Sequence, residues 1–67
     1  MQFTGTFLQK DVIPQNAAYN LLIAANNEYY DVEIDAENLP PLSKGDQVQV
    51  TITENQDGSE NVSLEVI

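Results

Sequence analysis

Carboxylates are the only chemistry-bearing side chains this chain supplies in number. Five of its eleven Asp and Glu residues crowd into ten positions: Glu28, Asp31, Glu33, Asp35 and Glu37. Asp31, Glu33 and Asp35 fall at every second residue. On an extended strand that spacing sends all three to one face, with about 6.6–6.8 Å between neighbours. Such a row can present negative charge to a basic partner, in the manner of the regularly spaced phosphates of a nucleic acid. It can also keep an exposed strand edge solvated and unpaired. A third use, holding a hard cation, fails on its spacing. Asp31-x-Glu33-x-Asp35 looks like the start of a calcium loop, but Ala36 stands where that loop needs glycine, and Leu42 where it needs glutamate. Carboxylates strung along a strand about 7 Å apart do not converge on one ion either. No metal and no cofactor is expected. Tyr29 begins the same face and suits an interface as an amphipathic anchor. The candidate binding set is Glu28, Tyr29, Asp31, Glu33, Asp35 and Glu37.

What the rest of the sequence lacks narrows the function. The chain has 67 residues, no Cys and no His, and its only cations are Lys10 and Lys44, giving a net charge of −9. Without Cys there is no thiol nucleophile and no thiolate metal site. Without His the commonest general base is missing, and without Arg there is no bidentate phosphate clamp. A domain this small also offers little volume for a substrate cleft, so an enzyme is not expected. Direct nucleic-acid binding draws its affinity from cations that neutralise phosphates, and an anionic membrane surface asks for the same. Two lysines against eleven acids disfavour both. The longest apolar run, Leu21 to Ala25, is far short of the roughly 20 residues of a membrane span. The N-terminus shows neither the basic nor the apolar region of a secretory leader. A cytoplasmic location is expected, and the Asn61-Val62-Ser63 sequon reads as chance.

The elements that must hold these residues follow a period of two. Tyr30, Val32 and Ile34 alternate with Asp31, Glu33 and Asp35. Val48, Val50 and Ile52 alternate with Gln47, Gln49, Thr51 and Thr53. Val62, Leu64 and Val66 alternate with Asn61, Ser63 and Glu65. Each is the pattern of a strand with one face buried and one wet, and each is rich in β-branched residues. Phe3, Gly5 and Phe7 share a parity, with Gly5 marking a bend in a first strand. Tyr19 to Ala25 reads as a further strand, apolar on both faces, with a short helix as the competing reading. Pro14-Gln15-Asn16, Asn26-Asn27 and Asn55-Gln56-Asp57-Gly58 are turn signals. The stretch from Asn38 to Asp46 is a longer link, in which one 3₁₀ turn would tuck Leu39 and Leu42 beneath the sheet. The expected fold is one all-β domain over residues 1–67. Its five strands would form a small antiparallel barrel of the OB or SH3-like type, with a short 3₁₀ turn between strands three and four. The Lys44-Gly45-Asp46 turn into Gln47-Val48-Gln49-Val50 resembles the entry to a barrel strand in such domains.

Phe3, Phe7 and Tyr30 have the parity of core residues rather than of base-stacking platforms, which would also need a basic groove. Three functions fit what remains. The first is a non-enzymatic acidic module that engages a basic protein surface, such as that of a nucleic-acid-binding protein. Length, acidity and the missing catalytic side chains resemble the nucleic-acid-mimicking inhibitors that small phage or plasmid genes encode. The second is a single-strand-binding OB-type barrel, which the charge opposes. The third is a small assembly subunit. Ile67, Leu8, Leu22 and Ala24 could form an apolar patch outside the barrel, which a homodimer would cover. At roughly 1.5 kcal/mol of ordering entropy per residue, a chain this short has reason to borrow core from a second copy.

Overall fold

A computed structural model describes residues 1–67. Five antiparallel strands form one sheet: β1 (Gln2–Ile13), β2 (Ala18–Ala25), β3 (Glu28–Asp35), β4 (Gln47–Glu54) and β5 (Glu60–Val66), in the order β3-β2-β1-β4-β5. Two short 3₁₀ turns, Pro14–Asn16 and Ala36–Asn38, follow β1 and β3. No helix is long and apolar enough to cross a membrane. Tyr19 to Ala25 is strand and not helix, within β2.

β1 is the axis of the sheet. Its first part pairs with β4, from Gln2 opposite Thr51 to Thr6 opposite Gln47. Its remainder pairs with β2, from Thr6 opposite Ala24 to Ile13 opposite Ala18. The two ladders meet at a bulge between Phe7 and Gln9, where Leu8 is the extra residue. A bulge bends its strand and increases the local twist, which lets one strand serve two neighbours. Gly5 lies just before it. A Cβ there would stand 2.6 Å from Cγ2 of Ile23 and 2.7 Å from the carbonyl oxygen of Ala24, so β1 passes β2 too closely for any other residue.

The Asn26-Asn27 hairpin forms as its residue types predict. Both asparagines take positive φ, 54° and 65°, as a tight turn between twisted strands demands. That turn sets all eight pairs of the β2–β3 ladder, from Ala25 opposite Glu28 to Ala18 opposite Asp35. The inner parity of β3 thereby becomes Tyr30, Val32 and Ile34, and its outer parity Tyr29, Asp31, Glu33 and Asp35.

The core is built from Phe7, Leu21, Ile23, Val32, Ile34, Val48 and Val50, all buried. Phe3, Tyr30, Leu39, Leu42, Ile52, Val62 and Leu64 are half-buried against it, and the rings of Phe3 and Tyr30 pack 5.0 Å apart. Leu39 and Leu42 sit beneath the sheet as expected, although the 3₁₀ turn itself precedes them at Ala36–Asn38.

Two expectations need correcting. The sheet is not closed into a barrel: β3 and β5 are its two ends, and no ladder joins them. The outer apolar patch is interrupted as well. Leu8, Leu22 and Ala24 are half-buried, while Ile67 is 66% exposed. Between Ala24 and Ile67 lies the hydrogen-bonded pair Thr6 and Gln47, joined at 2.8 Å, with Ile67 held beyond it by its N–H on the Gln47 carbonyl.

Candidate functional site

The six candidate residues separate into two groups. Tyr29, Asp31, Glu33 and Asp35 stand together on the outer face of β3, all exposed, with Tyr29 73% so. Glu28 and Glu37 do not join them. Glu28 has the parity of Tyr30 and accepts the Tyr30 hydroxyl proton at 3.0 Å, which keeps it on the other side of the strand. Glu37 lies in the 3₁₀ turn after β3, past the end of the row. The stripe of five acids is therefore a row of three with an aromatic at its head.

The row is positioned from behind. Val32 and Ile34, 5% and 2% exposed, anchor the inner face of β3 in the core, and the β2 ladder fixes the strand along its whole length. Asp31 lies opposite Leu22, Glu33 opposite Asn20 and Asp35 opposite Ala18. The Asn20 side-chain amide donates to Oδ1 of Asp31 at 3.2 Å. The hydrogen bonds that steady this end of the sheet thus come from neutral groups and leave the negative charge intact. Repulsion between adjacent carboxylates at this spacing costs only a few tenths of a kcal/mol in water, well within what the burial of Val32 and Ile34 offsets.

Neither lysine answers the row. Lys10 has the opposite parity, opposite Leu21 on β1, and its ammonium lies 4.9 Å from the centre of the Tyr19 ring. Lys44 sits in the turn before β4. Tyr30 ionises above the ordinary tyrosine range, because its hydroxyl donates to Glu28 and the Glu28 charge opposes a second anion beside it. No group of three acids comes close enough to hold a metal ion.

One participant escapes a reading of β3 alone. The sheet curls until β5 faces β3, and a groove of about 320 Å³ opens between them, lined by Glu33, Ile34 and Asp35 on one side and Glu60, Val62 and Ser63 on the other. Glu60 thereby adds a carboxylate to the groove beside Glu33 and Asp35. Its place beside Glu33 is not legible in the sequence, because only the curl of the sheet brings the two ends together. Compared with known proteins, the chain matches no family model, no curated sequence and no solved structure.

Proposed function

We propose that the chain is a non-enzymatic acidic module whose β3 face engages a basic protein surface, most concretely as a nucleic-acid-mimicking inhibitor of phage or plasmid type. The observation that carries this reading is the row Asp31, Glu33, Asp35: three exposed carboxylates on one face of a strand whose other face is buried. A strand locked by a full ladder holds its charges at preset intervals, so little ordering entropy is lost when a partner grips them. Each two-residue step of about 6.6–6.8 Å repeats along the strand, so the carboxylates recur at a regular interval, as phosphates do along a nucleic acid. Cationic side chains spaced to grip successive phosphates would meet carboxylates instead.

We also read the sheet as an OB-type barrel left open between β3 and β5. A first strand shared between β2 and β4 supports that order over the SH3-like one. In OB-type barrels the face of strands two and three is the one that takes oligonucleotides. Here that face bears three carboxylates and no lysine, so phosphates are repelled where a basic protein is attracted.

The test is capture from source-cell lysate on the immobilised chain, followed by elution with an oligonucleotide. The reading predicts a basic nucleic-acid-binding protein, released by oligonucleotide and by salt, and lost when Asp31→Asn, Glu33→Gln and Asp35→Asn are combined. Direct binding of the oligonucleotide to the chain at low salt, or retention unchanged by the triple variant, contradicts it.

A further inference from the structure

The two ends of the sheet face one another without pairing. In the order β3-β2-β1-β4-β5, with every neighbour antiparallel, β3 and β5 run parallel. At their closest they have Cα atoms within 8 Å, yet no backbone ladder links them. The groove beside Ile34 and Val62 continues into a second hollow bounded by Asp31, Val32 and Ile52. Along its walls run the backbone N–H and C=O groups of two free strand edges, the template that a further strand needs. On its inner side Ile52, Val62 and Leu64 are only half-buried. On its outer side stand Asp31, Glu33 and Asp35, while Glu60, which shares the parity of Val62, lines the β5 wall.

We propose that this groove receives an extended segment of a partner protein, in which apolar and Lys or Arg residues alternate, added as a strand along the β3 edge. The inference rests on the acidic-module reading and states how such a partner is held. An added strand sends successive side chains to opposite faces. Its apolar set would cover Ile52 and Val62, and its basic set would lie beside Asp31, Glu33 and Asp35. Charge selects this occupant. A second copy laid edge to edge along β3 would bring like charges together, and a nucleic acid would bring phosphates to carboxylates.

Room is made by β5. A strand seated between two others needs about twice the 4.7–4.9 Å interstrand spacing, so β5 must move outward. It is free to do so: β5 is laddered to β4 alone and contains no buried residue. Moving β5 alone leaves Val48 and Val50 of β4 in the core and uncovers only what the half-buried Val62 and Leu64 shield, which the apolar side chains of the incoming strand would cover again.

The experiment titrates the native chain at low salt with three capped peptides of equal charge. One alternates lysine and valine, the second is the same peptide with alternate backbone nitrogens methylated, and the third is a helical lysine–alanine peptide. Amide hydrogen exchange of the chain is followed in parallel. The expected result is that the alternating peptide binds, slows exchange along β3, and outcompetes each of the other two by about tenfold. Equal affinity for all three, or binding without slowed exchange on β3, overturns strand addition and leaves the acidic-module reading standing. Failure of every basic peptide to bind overturns both.

Discussion

The two edge strands show the same alternation and meet different fates. β3 seals its inner face, with Val32 and Ile34 5% and 2% exposed, and sets three acids on its outer face. β5 leaves its inner face half open, with Val62 and Leu64 partly covered and Val66 44% exposed, and its outer parity is Asn61, Ser63 and Glu65. If acids served only to guard a free edge from pairing, they would be densest on β5, where more apolar surface shows. They are densest on β3, whose inner face is the better sealed. We read that imbalance as support for the proposal that the β3 charge serves a partner.

The largest effect that could break this comparison concerns the inner faces. Ile34→Ala should cost about 2–5 kcal/mol, the loss typical of a sealed site, and Leu64→Ala markedly less, read as urea midpoints at unchanged m. Ile34→Val, at about 0.5–1.5 kcal/mol, keeps the measurement in range if the alanine variant unfolds. Equal losses at Ile34 and Leu64 would mean that the two edges are sealed alike. Next comes the crossing that closes the β3 side. Gly5→Ala forces a methyl against Ile23 and the Ala24 carbonyl and should cost about 1–3 kcal/mol, whereas Gly58→Ala disturbs only the positive φ of the β4–β5 turn and should cost about 1 kcal/mol. Neutralising Asp31, Glu33 and Asp35 together should leave stability within a few tenths of a kcal/mol of native or slightly above it, since relief of like-charge repulsion offsets any weakening of the exposed Asn20–Asp31 hydrogen bond.

The smallest effects lie in pH. The Ser59 hydroxyl and, after it, the Ser59 N–H donate to the Asp57 carboxylate and hold it below the ordinary carboxylate range. A depressed folded pKa stabilises above the unfolded value of about 3.9 and is lost as pH falls through the folded one. The stability gap between native chain and Asp57→Ala should thus be present at neutral pH and close in acid. Tyr30 has the reverse sign. Its raised pKa stabilises below the unfolded tyrosine value of about 10 and fades as pH rises through the folded one, so the gap to Tyr30→Phe should close in alkali. Denaturation midpoints across pH check both.

How far the sequence carried the reading differs along the chain. β3, β4 and β5 were legible because each keeps strict alternation with one wet face, and the Asn26-Asn27 turn because few residues tolerate its φ. The second half of β1 was not. Leu8 in the bulge shifts the parity, so Phe3 and Phe7 point inward but Lys10 and Val12 follow them on the same side, and the alternation is lost to inspection. The row Asp31, Glu33, Asp35 was readable from spacing. Glu28 was readable as an outlier from its shared parity with Tyr30. Glu37 leaves the row because the strand ends at Asp35, a boundary no residue type announces. The Glu60 contribution and the open β3–β5 groove belong to the curl of the whole sheet and to no local pattern.

The most direct measurement compares two variants of equal charge. One carries Asp31→Asn, Glu33→Gln and Asp35→Asn; the other carries Asp11→Asn, Glu54→Gln and Glu65→Gln, so each is three charges less negative than the native −9. Both are titrated, beside the native chain, against a purified lysine-rich nucleic-acid-binding domain over a range of salt. A functional β3 row predicts that the first variant loses about tenfold or more in affinity and most of the salt dependence, while the second loses only a few-fold. Equal losses in the two variants would show that net charge alone attracts the partner, and would contradict the claim that β3 is the binding surface.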